Sequence, residues 1–121
     1  QFVFADSFLI EDVLQNYLTN AFHHVTAGGI ISGTVTPTAN GTVHIAVLNT
    51  GSPIPEEELP KIWESFYKVD KAHSRSYGGS GIGLSVVAAI MQAHRMPYGV
   101  RNCRAPDGKT AVEFYIELQT R

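Results

Sequence analysis

The segment Gly78-Gly79-Ser80-Gly81-Ile82-Gly83 puts four glycines into six residues, directly ahead of a run rich in Val, Ala and Ile that reaches His94. Glycine loses the most backbone freedom on ordering, so such a cluster belongs to a loop and not to a helix or strand interior. The apolar run that follows has the length of a helix, Gly83 to His94, and it opens on that loop. A helix start has backbone N–H groups without intrahelical partners, and free glycine amides beside it make a natural phosphate cradle. Two common phosphate fingerprints are excluded. Leu84 stands where a P-loop requires Lys, and no Gly-x-Gly-x-x-Gly spacing follows a strand.

The rest of the chain supplies the frame for that loop. Phe2 to Ala5 reads as a short strand, with Asp6 and Ser7 as helix-start residues. Leu9, Val13, Leu14, Tyr17, Leu18, Ala21, Phe22 and Val25 repeat at helical spacing over Phe8 to Val25, and Gly28 and Gly29 end that pattern. Gly33 to Pro37 and Thr42 to Asn49 carry β-branched alternation around the turn signal Ala39-Asn40-Gly41. Pro53 and Pro55 punctuate, and Glu56, Glu57 and Glu58 load the first turn of a further helix, expected to reach Phe66. Tyr67 to Ser80 is an aperiodic, polar loop with Lys68, Lys71, His73 and Arg75. A loop of that length in a compact domain is usually functional. Tyr98 to Arg104 and Thr110 to Leu118 form a closing hairpin about Pro106-Asp107-Gly108. The order β-α-β-β-α-loop-α-β-β predicts one domain: a two-layer α/β (α+β) sandwich, with a mixed, mostly antiparallel sheet on about three helices. The 121 residues suit one domain and not two.

Two positions outside the glycine run carry unexpected polarity. Asn16 and Asn20 lie four apart on one face of the first helix, with His23 and His24 a turn further on. Asparagine is a mediocre helix former. A metal-phosphate group would account for the strip, since an amide oxygen is a hard ligand acceptable to Mg²⁺; a solvated helix face accounts for it equally well. Asn49 ends a strand and opens into Thr50-Gly51-Ser52-Pro53. Glycine there allows backbone to approach a flat ligand, although a plain strand-ending turn is the simpler reading of those residues alone. His94 reads as a helix C-terminal cap, Trp63 as packed beneath the second helix, and Cys103, the single cysteine, as an inert thiol that excludes an internal disulfide.

Taken in order, four segments resemble the ATP-binding domain of sensor histidine kinases, in the superfamily shared with DNA gyrase, the MutL repair proteins and the ninety-kilodalton heat-shock chaperone. Leu14 to Ala21 resembles the N box and Asn49-Thr50-Gly51-Ser52-Pro53 the first glycine box. Phe66-Tyr67-Lys68 resembles the F box, and Gly79-Ser80-Gly81-Ile82-Gly83-Leu84 the second glycine box. The resemblance covers essentially the whole chain, in a Gram-positive-like variant. It implies the Bergerat ATP-binding fold, with ATP and Mg²⁺ as cofactors. Asn20 would ligate Mg²⁺, with Asn16 near the phosphates and His23 and His24 at phosphate or ribose contacts. Asn49 would read the adenine amino group, Gly51 and Ile54 would line that site, and Phe66 would anchor a mobile lid. Tyr67 and Lys68 would belong to the site, Lys68 reaching the phosphates. Gly79, Gly81 and Gly83 would form the lid hinge and the phosphate-facing helix start, with Ser80, Ile82 and Leu84 in the ATP site beside them. Three residues depart from the family pattern: Asn49 stands where Asp is usual, Pro53 where the second glycine is, and His23 where Lys or Arg is.

The resemblance implies a kinase catalytic domain whose phospho-acceptor histidine lies on a separate dimerisation domain, with a response regulator as final recipient. None of His23, His24, His44, His73 and His94 sits in a His-Glu/Asp-x-x-Thr/Asn-Pro context, so the acceptor is expected outside this chain. Two other readings stand beside it: a non-catalytic nucleotide-binding module, motivated by Asn49 and Pro53, and an ATP-hydrolysing relative of gyrase. The second is disfavoured, because Asn16 occupies the place of the general-base Glu and an amide cannot take a proton from water. A formal net charge of −2 gives no general reason to bind nucleic acid or an anionic membrane, and no apolar run approaches a membrane span. The expectation is a cytoplasmic, monomeric domain of a parent anchored in the membrane, the anchor being implied by the resemblance alone.

Overall fold

The computed structural model describes residues 3, 5–65 and 83–120. Helix α1 spans Ser7–His24, strand β1 Ile31–Pro37, β2 Thr42–Thr50, helix α2 Gly83–Ala93, β3 Tyr98–Arg104 and β4 Thr110–Gln119. The strands form one sheet in the order β1-β2-β4-β3, every pairing antiparallel. β2 and β4 are therefore the central strands, and a site at the end of either rests on the most firmly held part of the sheet.

Helix α1 starts where Asp6 caps it. The Asp6 carboxylate accepts the Leu9 N–H at 3.1 Å, which satisfies one of the orphan donors of the first turn. Ile10, Val13, Tyr17, Asn20 and Ala21 are buried on one face at helical spacing. α2 buries Leu84, Val87, Ile90 and Met91. Along β4 the buried residues Val112, Phe114, Ile116 and Leu118 alternate with half-buried Glu113, Tyr115 and Glu117, the two-residue period of a sheet with one face on the core. The opposite face is polar: Arg101 pairs with Glu113 across strands at 2.7 Å, and the His44 ring stacks on Tyr115 at 4.9 Å.

The two helices are tied to each other and to the sheet by side-chain hydrogen bonds to backbone. His94, just past α2, bonds through Nδ1 to the Ile90 carbonyl at 2.9 Å, while its Nε2 accepts the Asp6 N–H at 3.1 Å. The residue read as a local cap thus also joins the end of α2 to the start of α1. Tyr17 on α1 donates its hydroxyl to the Tyr115 carbonyl of β4 at 3.0 Å and meets the Phe114 ring at a tilt of 44°, centroids 5.3 Å apart. Burial holds the Tyr17 phenol well above the ordinary tyrosine range. Trp63 packs at right angles to Tyr98 and Phe114, with ring centroids 4.9 and 5.9 Å away.

The expected α+β sandwich with a mostly antiparallel sheet is what the chain forms; among the described residues the four strands pair antiparallel throughout and two α-helices are present. One element is corrected. The stretch expected as a helix from Glu56 to Phe66 is a 3-10 turn, Glu56–Glu58, continued by irregular turns to residue 65. Pro60 explains this. It has no N–H to give back to the preceding turn, so three-residue closures prevail, such as Glu58 N–H to Pro55 C=O and Lys61 N–H to Glu58 C=O. Of the first apolar run, Val3 makes a single antiparallel bridge to Thr120.

Candidate functional site

Strand β2 ends in Asn49 and Thr50, both buried, and α1 ends beside them. Four bonds make the junction. The Thr50 N–H donates to the Ile30 carbonyl at 3.0 Å. The Thr26 N–H donates to the Thr50 carbonyl at 3.1 Å, the Ile30 N–H donates to the Thr50 hydroxyl at 2.9 Å, and the Thr26 and Thr50 hydroxyls meet at 3.2 Å. Gly51 follows in the closest quarters. A Cβ placed on it would lie 2.8 Å from the His24 carbonyl oxygen and 3.3 Å from the Asn49 side-chain nitrogen. Only glycine lets the strand end and the helix end approach to this degree. The residues read from sequence as far apart, His24 on the first helix and Asn49-Gly51 on the second strand of the hairpin, are neighbours.

The two asparagines that matter most are both hidden from solvent. Asn20 is 0% exposed and Asn49 2%. Burying an amide is unfavourable unless it is partnered, and Asn49 donates its Nδ2 to the Thr50 carbonyl at 3.2 Å. Asn16, half-buried one turn before Asn20, donates its Nδ2 to the Asp12 carbonyl at 2.9 Å. His24 is half-buried and His23 exposed. Gly83 and Leu84 are buried at the start of α2, whose contacts run to α1. Phe66, Tyr67, Lys68, Gly79, Ser80, Gly81 and Ile82 lie outside the described residues, as does the expected lid.

Sequence reading missed two residues that shape this junction. Asn102 on β3 holds Ile54 by both of its backbone groups, accepting the Ile54 N–H at 2.8 Å and donating to its carbonyl at 2.7 Å. Thr110 on β4 does the same for Gly51: its carbonyl accepts the Gly51 N–H at 3.0 Å, and its hydroxyl donates to the Gly51 carbonyl at 3.0 Å. Neither has a local motif to signal it. A cavity of about 660 Å³ lies elsewhere, lined by Val3, Ala5, Ile10, Leu14 and Leu18. Its helical residues lie on a different face of α1 from Asn16 and Asn20.

Two helices on one face of an antiparallel sheet, with buried amides where the first helix meets a central strand end, define the ATP-binding α/β sandwich class. The chain belongs to the family of histidine kinase-, DNA gyrase B- and HSP90-like ATPases, whose model matches residues 5–120, and within it to the catalytic domains of sensor histidine kinases. It is 37% identical over 93 residues to the sensor histidine kinase CusS of Escherichia coli K12, a match covering 77% of this chain and 19% of that protein. It is 34% identical over 118 residues to the sensor protein VanSB of Enterococcus faecalis, covering 98% of this chain and 25% of that one. The catalytic domain of histidine kinase ThkA superposes with a TM-score of 0.77 at 28% identity, covering 96% of this chain and 69% of that one. Full-length ShkA in complex with AMPPNP superposes with a TM-score of 0.75 at 26% identity, covering 98% of this chain and 23% of that one. The chain thus spans a quarter or less of the curated relatives named here.

Proposed function

We propose that this domain holds Mg²⁺-ATP at the junction of α1 and β2 and presents the γ-phosphate to a histidine on a separate dimerisation domain, for onward transfer to a response regulator. The observation that carries the reading is the convergence there of the helix end that carries Asn20 and His24 with Asn49 and Gly51. A side-chain methyl is excluded at Gly51 by the His24 carbonyl and the Asn49 amide, so glycine is what lets the helix end and the strand end come together there. The residues present fit the group. Asn49 has an amide oxygen for an exocyclic amine, Asn20 an amide oxygen for Mg²⁺, and His23 and His24 stand at the helix end for phosphate or ribose. Gly83 and Leu84 begin α2, which packs against α1, and a helix N-terminus suits phosphate.

When bound, ATP supplies the phosphoryl group; the chain's part is positional and electrostatic. Asn16 supports transfer over hydrolysis, because a side-chain amide that donates to the Asp12 carbonyl has no capacity to accept a proton from water. Lys68 is assigned to the phosphates by resemblance. The parent is proposed to act from a membrane anchor with this domain in the cytoplasm. No helix among the described residues is long and apolar enough to cross a membrane.

Calorimetric titration with AMPPNP, with and without Mg²⁺ and beside GMPPNP, tests the reading. Micromolar to submillimolar binding that prefers adenine and strengthens with Mg²⁺ is expected, with the Mg²⁺ dependence lost in Asn20→Ala. No binding at millimolar nucleotide would assign the domain to the non-catalytic modules, and steady phosphate release from ATP would assign it to the hydrolases.

A further inference from the structure

Between Gly51 and the 3-10 turn the chain reads Ser52-Pro53-Ile54-Pro55. Two of these residues are prolines and have no N–H. Ile54 is therefore the one backbone donor of the Pro-Ile-Pro triplet. A residue that precedes proline is pushed into the extended region, and in an extended residue the N–H and C=O of that same residue point to one side. The Asn102 side-chain amide lies on that side. Its Oδ1 accepts the Ile54 N–H at 2.8 Å, and its Nδ2 donates to the Ile54 carbonyl at 2.7 Å. The two bonds fix the amide orientation, since a flipped amide would set donor against donor and acceptor against acceptor. A side chain thus plays the part of a strand, pairing with a residue 48 positions away. Ile54 itself is driven into the core, 1% exposed.

We propose that Asn102 is the positioning residue of the nucleotide site: through Ile54 it holds the turn after Asn49-Thr50-Gly51 in one conformation, and it thereby sets nucleotide affinity. The inference rests on the nucleotide reading given above. Thr110 fixes the near end of the same turn at Gly51, and Asn102 fixes the far end. The turn needs both, because Pro53 and Pro55 give up the backbone donors that would otherwise hold it.

The discriminating variant is Asn102→Asp, which has the same shape. A carboxylate accepts the Ile54 N–H and repels the Ile54 carbonyl; a protonated carboxyl both accepts and donates, and restores the pair of bonds. Facing groups on neighbouring elements are the Ile54 backbone and the uncharged Val112 across the strand pair. Arg101 and Cys103, its chain neighbours, alternate to the other face of the strand. AMPPNP affinity is measured by calorimetry for the unmutated chain, Asn102→Asp and Asn102→Ala, at pH 8 and at pH 5.5. The expected loss is about tenfold for both variants at pH 8, the value of about 1.4 kcal/mol for one net hydrogen bond. Half-burial and the facing Ile54 carbonyl oxygen raise the carboxyl of Asn102→Asp above the ordinary aspartate range, so at pH 5.5 its ratio to the unmutated chain recovers to about threefold or less, while Asn102→Ala stays at tenfold. Equal affinity of all three chains overturns the proposal, and so does a loss in Asn102→Asp that ignores pH. Amide exchange at Ile54, followed by NMR without nucleotide, separates the clamp from the site. Slow exchange in the unmutated chain and fast exchange in Asn102→Asp at pH 8 shows the clamp, even if no nucleotide binds and the site reading falls. Fast exchange at Ile54 in the unmutated chain overturns the clamp itself.

Discussion

Gly51→Ala isolates the close approach on which the site depends. Its new Cβ would stand 2.8 Å from the His24 carbonyl oxygen and 3.3 Å from Asn49 Nδ2. Ordinary packing distance is about 3.5 Å or more, so the shortfall against the carbonyl is about 0.7 Å. Neither side yields cheaply. The carbonyl belongs to the last residue of α1, and Gly51 is held by its N–H and its C=O to Thr110, both at 3.0 Å. Overpacking against fixed backbone costs about 1–3 kcal/mol, which at about 4 °C per kcal/mol for a chain of this length lowers Tm by about 4–12 °C. The same movement pushes His24 away from Asn49, so AMPPNP affinity falls by at least about fivefold. Two other glycines calibrate the scale. At Gly33 the nearest atom is the Ala46 carbonyl oxygen at 3.9 Å, so Gly33→Ala leaves Tm level or raises it slightly. Gly108 has open space but φ of 85°, so Gly108→Ala costs about 1 kcal/mol through strain alone and leaves AMPPNP binding untouched. Thermal melts by circular dichroism, with calorimetry on each variant, make the comparison. A Gly51→Ala chain that melts within 1 °C of the parent would refute the steric argument outright.

The buried Tyr17 phenol gives a pH signature. Its folded pKa is raised above the unfolded value of about 10, so its contribution is complete below pH 10 and is lost progressively above it. Tyr17→Phe is expected to lower stability by about 1 kcal/mol at pH 8, the net worth of the bond to the Tyr115 carbonyl, and to flatten the fall in Tm between pH 9.5 and 11; an unchanged alkaline slope would show that this phenol does not govern it. His94→Ala removes the acceptor of the Asp6 N–H and the donor to the Ile90 carbonyl, and should cost about 1–2 kcal/mol by urea denaturation, with faster amide exchange in the first turn of α1. Loss of stability without faster exchange there would mean that the histidine serves α2 alone.

Much of this architecture was legible because its signals are local. The β3 limits, Tyr98 and Arg104, follow from alternation and turn chemistry, and the glycines expected in the two hairpin turns, Gly41 and Gly108, have φ of 77° and 85°. The misreading of Glu56 to Phe66 arose from competing local signals. Three acidic residues favour a helix start, but Pro60 removes the donor on which the second turn depends. What sequence did not disclose is contact between distant residues. His94 with Asp6, Tyr17 with Tyr115 and Asn102 with Ile54 are 88, 98 and 48 positions apart, and each spends a polar side chain on a backbone group. Such pairs have no spacing rule, since any Asn can meet any exposed peptide once the fold brings them together. The candidate site was readable as residue types, Asn20, Asn49 and Gly51, but not as a place.

Asn49 is the Cα partner of Ile31 on one side and of Val112 on the other, so it is woven into the sheet rather than hung on a loop. On the proposed role of Asn49, a change of nucleotide preference in this scaffold comes from exchanging side chains on a fixed lattice. Inserting or deleting one residue between Val47 and Asn49 would put Asn49 on the opposite face of the sheet from the one it now shares with Val43 and Val47, or turn those two out of the core instead. Directed evolution of this domain toward another base should find its gains in point substitutions around Asn49 and Ile54, and insertions or deletions there should vanish from the selected pool.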